Sequence, residues 1–384
     1  MKYDFDTVID RRDSNSYKWD ISEDELPMWV ADMDFRTAPE IIKVLTERVE
    51  HGIFGYATNS DEWYRAYINW WKNRHGIKYK KEHLIFSTGV IPTISSCVRR
   101  LTAPAENVLI MTPVYNIFYN CIRNNGRNVL ECPLEYNDGE YSINWASLEE
   151  KLADPQTTLM LLCNPHNPIG KIWGKETLSK IGGLAYDNGV AVISDEIHCD
   201  ITDPDRSYVP FASVSEKCAK NCVICIAPTK AFNLAGLQTS AALVPELRLR
   251  HKVWRGLNTD ECGEPNAFAV QATVAAFNYG GEWLDELREY IYKNKQTVKK
   301  FLAENIPQIK LVSSDATYLL WLDCSSLNMN SRELAAHIRK TTGLYLSDGI
   351  QFGNGERFLR MNIACLKTVL MDGLNRLKKA VELL

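Results

Sequence analysis

The chain has 384 residues, of which 45% are hydrophobic and 24% are charged. This length is enough to bury a substantial core and favours a globular protein of two domains. The net charge of -4 provides no attraction to a phosphate backbone or an anionic bilayer, so neither nucleic acid nor a membrane surface is an expected partner.

The N-terminal stretch from Met1 to Asp20 mixes charged and aromatic residues and lacks the apolar core of a secretory signal. No apolar run approaches the roughly 18 residues of a membrane-spanning helix. We therefore expect a cytoplasmic protein. Its eleven cysteines are an odd number and are expected to be reduced thiols. The CxxC pair Cys222 and Cys225 lies on a predicted strand, where residues three apart face opposite sides, so no metal site is predicted.

The first strongly patterned segment runs from Trp63 to Trp71 and holds three tryptophans and two tyrosines at near-helical spacing. Such a segment could pack as a helix or offer a base-stacking surface. Because no basic cluster accompanies it, we predict a packed helix.

Between about residues 82 and 245, short apolar strands alternate with helical stretches. This alternation predicts an α/β fold with a mostly parallel sheet covered by helices. Ligands of such sheets bind at the carboxyl ends of the strands, where polar residues are the first candidates for chemistry. The predicted strands are His83–Ser87, Asn107–Met111, Thr157–Cys163, Gly189–Ser194, Val223–Ala227 and Thr239–Val244.

From about Gly281 the pattern changes to a long helix, two further strands, a helix from Ser331 and a terminal helix. This pattern predicts a smaller α+β domain. We assign residues 46–282 to the large domain and residues 1–45 together with 283–384 to the small one.

Several strand ends carry candidate site residues. Gly89, Val90 and Ile91 follow the first strand and precede a predicted helix from Thr93 to Arg100, where free backbone N–H groups could bind a phosphate. Tyr115 follows the second strand and could either pack in the core or stack on a flat heterocycle.

Three later strand ends carry an amide, an acid and an amine. Asn167 lies in an Asn-Pro loop, which could be a plain turn or could present fixed donors to a bound oxygen. Asp195 could cap a helix or face a protonated pyridine nitrogen. Lys230 could be an ordinary surface lysine, but its apolar flanks could lower its pKa and favour imine chemistry.

The order and spacing of Asn167, Asp195 and Lys230 resemble those of the fold-type I pyridoxal-phosphate enzymes related to aspartate aminotransferase. The likeness covers nearly the whole chain. Within that family, residues 26–35 and 227–240 look like the cystathionine β-lyase branch, the MalY/PatB-type C-S lyases. The resemblance therefore implies a pyridoxal 5'-phosphate cofactor and an amino acid substrate.

The resemblance also implies a role for each candidate. Lys230 would carry the cofactor as a Schiff base, with Asp195 on the pyridine nitrogen and with Asn167 and His198 at the ring hydroxyl. Tyr115 would stack on the ring. The phosphate would be held by Gly89, Val90, Ile91 and Thr229, and by Tyr56 of a second subunit, which implies a homodimer. Arg360 would bind the substrate carboxylate, with Ala31 and Asn167 beside it.

The expected reaction is β-elimination of a sulfur amino acid, such as cystathionine or cystine, to pyruvate, ammonia and a thiol. Three departures from the aminotransferase pattern favour the lyase branch: Gln238 replaces a common arginine, Ala227 a common serine and His198 the usual tyrosine. An aminotransferase remains the alternative. A regulatory protein that has lost turnover is a second alternative.

Overall fold

The structure is a computed structural model that describes residues 2–384. Its strands are β1 (Leu26–Pro27), β2 (Leu84–Ser87), β3 (Asn107–Thr112), β4 (Asn128–Pro133), β5 (Glu135–Asn137), β6 (Glu140–Ser142), β7 (Thr157–Cys163), β8 (Ala191–Asp195), β9 (Cys222–Ile226), β10 (Ser240–Leu243), β11 (Lys310–Leu311), β12 (Leu319–Asp323), β13 (Leu344–Tyr345), β14 (Ser347–Asp348) and β15 (Phe358–Asn362).

Helices alternate with these strands through most of the chain. They are α1 (Pro39–His51), α2 (Asp61–His75), α3 (Val90–Leu101), α4 (Ile117–Arg123), α5 (Trp145–Ala153), α6 (Lys175–Asp187), α7 (Glu216–Lys220), α8 (Leu247–Thr259), α9 (Ala269–Tyr279), α10 (Gly281–Asn305), α11 (Ser331–Thr342) and α12 (Lys367–Glu382). No helix within residues 2–384 has the combined length and apolar character that a bilayer span requires.

The central sheet has seven strands in the order β2-β10-β9-β8-β7-β3-β4. Only β10 runs against its neighbours, because it pairs antiparallel with both β2 and β9 while the other pairs are parallel. The predicted α/β fold with a mostly parallel sheet is confirmed. The carboxyl ends of β2, β3, β7, β8 and β9 consequently share one edge with the beginning of β10.

A second, antiparallel sheet has the order β11-β12-β15-β14 and belongs to the predicted α+β part of the chain. The N-terminal part of the chain, before α1, joins this sheet region through the parallel pair β1 and β13. Both proposed domain limits fall inside helices, α1 and α10, rather than in linkers. The division into residues 46–282 and the remainder stays a prediction.

The aromatic segment before the central sheet forms the buried face of α2, as predicted. Trp63, Tyr67 and Trp71 are almost fully buried, and Tyr67 meets Phe277 of α9 at a centroid distance of 4.8 Å. Ser60 caps the helix by accepting a hydrogen bond from the Trp63 backbone N–H. This packing anchors the helical layer on one side of the sheet.

Adjacent glycines of α6 offer a matched test of how closely the helical layer packs. A Cβ added at Gly182 would clash with the buried Cys218 sulfur, whereas one at Gly183 would meet nothing within 4 Å. We expect Gly182→Ala to destabilise the protein by about 1–3 kcal/mol through overpacking. Gly183→Ala should stabilise it by about 0.5–1 kcal/mol through helix propensity. Thermal denaturation of both variants checks the prediction, and equal effects would contradict it.

Candidate active site

The shared strand edge encloses a cavity of about 270 Å³. Ten of the predicted site residues line it: Ala31, Gly89, Val90, Ile91, Tyr115, Asn167, Asp195, His198, Thr229 and Lys230. They come from the ends of β2, β3, β7, β8 and β9 and from the segment that follows β1. The topology therefore gathers residues from distant parts of the chain into one site.

Lys230 is the amine of this cavity. Its Nζ donates a hydrogen bond of 2.6 Å to the Ala31 carbonyl oxygen. Burial lowers the pKa of Lys230 to about 8, with the Arg360 charge adding to the effect and the Asp32 and Asp195 charges opposing it. An amine with such a pKa is partly neutral near pH 8, which is the form that attacks a carbonyl or removes a proton.

The turn that carries Lys230 is held by its own backbone and by the segment that follows β1. The Phe232 N–H donates to the Pro228 carbonyl and the Leu234 N–H to the Thr229 carbonyl, both at 2.9 Å. Asn233 accepts from the Met33 N–H and donates to the Met33 carbonyl, each at 3.0 Å. These bonds fix the lysine relative to residues 31–35.

Asp195 ends β8 and Glu196 follows it, and the two carboxylates have different surroundings. Asp195 lines the cavity, and burial raises its pKa to about 7. Glu196 instead accepts hydrogen bonds from Tyr208, Ser194 and the Phe211 backbone N–H. Asp195 is therefore the carboxylate available to a ligand, and Glu196 supports the turn behind it. The helix-capping alternative for Asp195 is not realised, because within residues 2–384 its side chain accepts only from the Ile197 N–H of the same turn.

His198 is buried beside the cavity and stays neutral. Burial lowers its pKa to about 3, with the charges of Lys230 and Arg360 acting in the same direction. Its Nδ1 atom has no hydrogen-bond partner among residues 2–384. A buried, unpaired ring nitrogen that lines a cavity is suited to a hydroxyl group of a ligand.

The Asn-Pro loop after β7 uses its two asparagines differently. Asn167 lines the cavity, and its side-chain oxygen accepts from Arg360. Asn164 supports the loop, since its backbone N–H donates to the Asp195 carbonyl at 2.9 Å and its side-chain amide to the Val209 carbonyl at 2.9 Å. The loop is thus a rigid part of the site and not a plain turn.

Arg360 lies on β15 and is only 6% exposed. Its guanidinium donates to the Asn167 oxygen at 3.3 Å and to the Trp29 carbonyl at 2.9 Å, and it lies over the Phe352 ring. No carboxylate of residues 2–384 pairs with it, its Nε atom is unpaired, and burial lowers its pKa to about 10. A buried cation without an anion is costly, so this group is suited to an anionic ligand.

Helix α3 begins at Val90, three residues earlier than predicted, with Pro92 accommodated in its first turn. The first N–H groups of a helix have no acceptors within it, and this first turn contains no acidic residue. The N–H groups of Gly89, Val90 and Ile91 therefore form a site for an anion at the cavity wall.

Tyr56 is the one predicted site residue that lies away from the cavity and from Arg360. It is fully exposed in the extended segment before α2. That position is compatible with a contact to a second subunit, which remains a prediction.

Sequence reasoning missed several contributors to the site. Thr88, Cys163, Ile197 and Thr239 line the cavity, and the Tyr318 hydroxyl donates to the Ala31 carbonyl at 3.2 Å. Thr88, Ile197 and Thr239 directly neighbour predicted site residues or strand ends, so the strand-end rule could have included them. No sequence signal identifies the Tyr318 contact, because it depends on how the two sheets meet.

These residues fit the cofactor that the resemblance implies. An amine of lowered pKa, a carboxylate of raised pKa, an unpaired ring nitrogen and a helix N-terminus surround one cavity. They match in turn the aldehyde, pyridine nitrogen, hydroxyl and phosphate of pyridoxal 5'-phosphate. The unpaired Arg360 adds a place for a carboxylate beside it.

Comparisons with known proteins agree over the whole chain. The aminotransferase class I and II family matches residues 24–376. Cystathionine beta-lyase PatB from Bacillus subtilis (strain 168) is 43% identical over 385 residues, covering 98% of this chain and 100% of that protein. Cystalysin from Treponema denticola, which contains a pyridoxal 5'-phosphate cofactor, has a TM-score of 0.96 at 32% identity and covers 100% of this chain and 99% of that one. The PLP-bound C-S lyase from Staphylococcus hominis has a TM-score of 0.92 at 32% identity, over 99% of both chains.

The raised pKa of Asp195 has a consequence for stability that can be measured on cofactor-free protein. An acid whose pKa rises from about 3.9 in the unfolded chain to about 7 on folding opposes folding more strongly as the pH rises between these values. Asp195→Asn should therefore stabilise the protein by about 2–4 kcal/mol at pH 8, and by less as the pH falls towards 4.

Thermal denaturation at pH 8 and pH 5 measures this difference. Glu150→Gln, which changes an exposed carboxylate, is the control and should have little effect at either pH. A stabilisation by Asp195→Asn that grew towards low pH would contradict the burial argument.

Proposed function

The chain belongs to the aminotransferase class I and II family, and we propose that it is a pyridoxal-phosphate-dependent C-S β-lyase acting on a sulfur amino acid such as cystathionine. The proposal is carried by a lysine of lowered pKa in the cavity together with a buried arginine that bonds to Asn167 of the cavity wall and has no anionic partner among residues 2–384. The 43% identity to a cystathionine beta-lyase supports the choice of substrate class.

Each side of the cavity has a part in holding the cofactor. Lys230 binds it covalently, Asp195 pairs with the ring nitrogen, and Tyr115, which is partly buried with its pKa raised to about 12, packs against the ring. Asn167 and His198 bond to the ring hydroxyl. The α3 N-terminus at Gly89, Val90 and Ile91 and the Thr229 hydroxyl hold the phosphate.

When bound, pyridoxal phosphate acts as an electron sink for the bonds at the substrate Cα. Arg360 binds the substrate carboxylate through its two-pronged fork, with Ala31 and Asn167 beside it, and so orients the Cα–H bond towards Lys230. Once the substrate amine has replaced Lys230 on the cofactor, the free Lys230 amine would take the Cα proton. The Cβ–S bond breaks, sulfur leaves as a thiolate that takes up a proton, and hydrolysis of the remaining three-carbon fragment yields pyruvate and ammonia.

Protonation of Asp195 would remove the charge that keeps the ring nitrogen protonated. Its pKa is raised to about 7 by burial, but a cationic ring nitrogen beside it favours the ionised carboxylate. Asp195 therefore acts by holding a proton on its partner rather than by moving one.

We further propose that the enzyme is a cytoplasmic homodimer in which Tyr56 reaches the phosphate of the other subunit. The support is the exposure of Ile53, Phe54 and Tyr56 in one extended segment, since adjacent exposed apolar side chains are typical of an interface.

The reaction itself provides the first test. Purified holoenzyme incubated with cystathionine, without a keto acid, should release pyruvate and a free thiol in equal amounts. Lys230→Ala should lose the visible absorption band of the bound cofactor and at least about 1000-fold in turnover, because it removes both the covalent link and the base. Lys217→Ala, which changes an exposed lysine, is the control.

Two outcomes would overturn the proposal. A strict need for a keto acid, with amino-group transfer and no thiol, would assign the protein as an aminotransferase. A protein that turns over no amino acid but binds a partner protein would favour the regulatory alternative.

The role of Arg360 gives a second prediction. Arg360→Lys keeps the charge but loses the fork, so we expect the KM for cystathionine to rise about 10- to 100-fold with a smaller change in kcat. The control is Arg357→Lys, which changes an exposed arginine three residues away and should leave KM within about twofold. A fall in kcat without a change in KM would contradict a carboxylate-binding role.

A further inference from the structure

Four charged side chains join residues 2–20, which we call the N-terminal arm, to the active-site wall. Arg11 donates to both carboxylate oxygens of Asp32, at 3.1 and 2.9 Å, and to Asp34 at 2.8 Å. Lys18, which is only 1% exposed, donates to the other oxygen of Asp34 at 2.8 Å. We call Arg11, Lys18, Asp32 and Asp34 the arm cluster. It is electrically neutral and largely buried, and it contains none of the residues assigned to cofactor or substrate.

The two acids of this cluster belong to a short segment, residues 28–35, that forms one wall of the site. We call it the wall segment. Its Trp29 carbonyl accepts from Arg360 at 2.9 Å, and its Ala31 carbonyl accepts from Lys230 at 2.6 Å. Both cations of the proposed mechanism therefore rest on backbone oxygens of one segment. A backbone carbonyl points correctly only when its segment is held in place.

Arg11 provides the most extensive hold on this segment from the arm. Besides the two carboxylates it donates to the Met33 carbonyl at 3.0 Å, and its second nitrogen donates to the Ser16 hydroxyl at 2.9 Å. One planar fork thus binds the backbone and two side chains of residues 32–34 at once. A lysine could match the charge but not this set of directions.

We propose that Arg11 is a positioning residue of the active site: through Asp32, Met33 and Asp34 it sets the carbonyls that orient Arg360 and Lys230. This inference rests on the proposed function for its kinetic consequence, and it adds a part of the chain 219 residues before Lys230 (230 − 11) to the residues on which the site depends. The arm acts through the wall segment, since Arg11 itself does not line the cavity.

The electrostatic consequence can be given a sign. The charged and titratable groups around Lys230 are Asp32, Asp195, Arg360, His198, Tyr115 and Tyr318, and of these only Asp32 contacts Arg11. Replacing Arg11 by a neutral residue leaves the Asp32 charge less compensated, and a stronger negative charge nearby favours the protonated amine. The Lys230 nitrogen should then hold its proton to a higher pH.

The neighbouring Arg12 gives a matched control. It donates to backbone carbonyls of residues 21, 22, 23 and 25 and has no hydrogen bond to residues 28–35. Arg11→Met and Arg12→Met therefore remove the same group from the same arm, one with a hold on the wall segment and one without. Arg11→Lys retains the charge and distinguishes it from the fork.

The experiment compares these three variants as holoenzymes. For Arg11→Met we expect a 10- to 100-fold rise in KM, a pH profile of kcat and a visible-band titration that move to higher pH, and faster hydrogen exchange in residues 28–35. Arg11→Lys should restore the pH midpoint but only part of the KM. Arg12→Met should match the parent enzyme in all four measurements.

Hydrogen exchange separates this inference from the function on which it rests. If the parent enzyme lacks lyase activity but Arg11→Met alone loosens residues 28–35 and shifts the visible-band titration, the positioning role stands and the substrate assignment fails. If Arg11→Met and Arg12→Met change KM, pH midpoint and exchange alike, the positioning role is overturned. It is overturned as well if neither variant changes them.

Discussion

The site depends on two cations, the buried Arg360 and the partly buried Lys230, that have no carboxylate in contact among residues 2–384. Lys230 and Arg360 rest on backbone carbonyls, Ala31 and Trp29, which are dipoles and compensate a buried charge only partly. The lowered pKa of both groups reflects this incomplete compensation of their charge. Each is consequently ready for a partner that the chain does not supply: an aldehyde carbon for the amine and a carboxylate for the guanidinium.

The topology of the sheet makes this arrangement possible with residues that are far apart in the chain. Because β10 is the single reversed strand, its beginning meets the carboxyl ends of β2 and β9, and Thr239 lines the cavity together with Gly89 and Lys230. The second sheet then brings Arg360 against Asn167, which lines the cavity. One sheet holds the groups that fit a cofactor, and the other holds the group that fits a substrate.

The edge of the central sheet that carries the site was predicted well from the sequence, because strand ends and their polar neighbours follow from the local residue pattern. The prediction misplaced the start of α3, since Pro92 reads as a helix breaker although a proline is tolerated in a first turn. It omitted β4, an edge strand whose mixed polar sequence, Asn128–Pro133, lacks a clear alternation. The Ala31 carbonyl and the Arg11 fork were also beyond it, because backbone acceptors and long-range ion pairs leave no periodic signal.

The two cations are also coupled to one another, and the coupling has a useful direction. Arg360 is among the charges that lower the pKa of Lys230 while its guanidinium has no anionic partner. A carboxylate bound to Arg360 would cancel much of that charge, so the lysine nitrogen would become more basic when an amino acid occupies the site. Linkage requires the reverse as well, so a protonated Lys230 favours carboxylate binding. A carboxylate on Arg360 would therefore make the Lys230 nitrogen a stronger proton acceptor and, at a given pH, leave a larger share of it protonated.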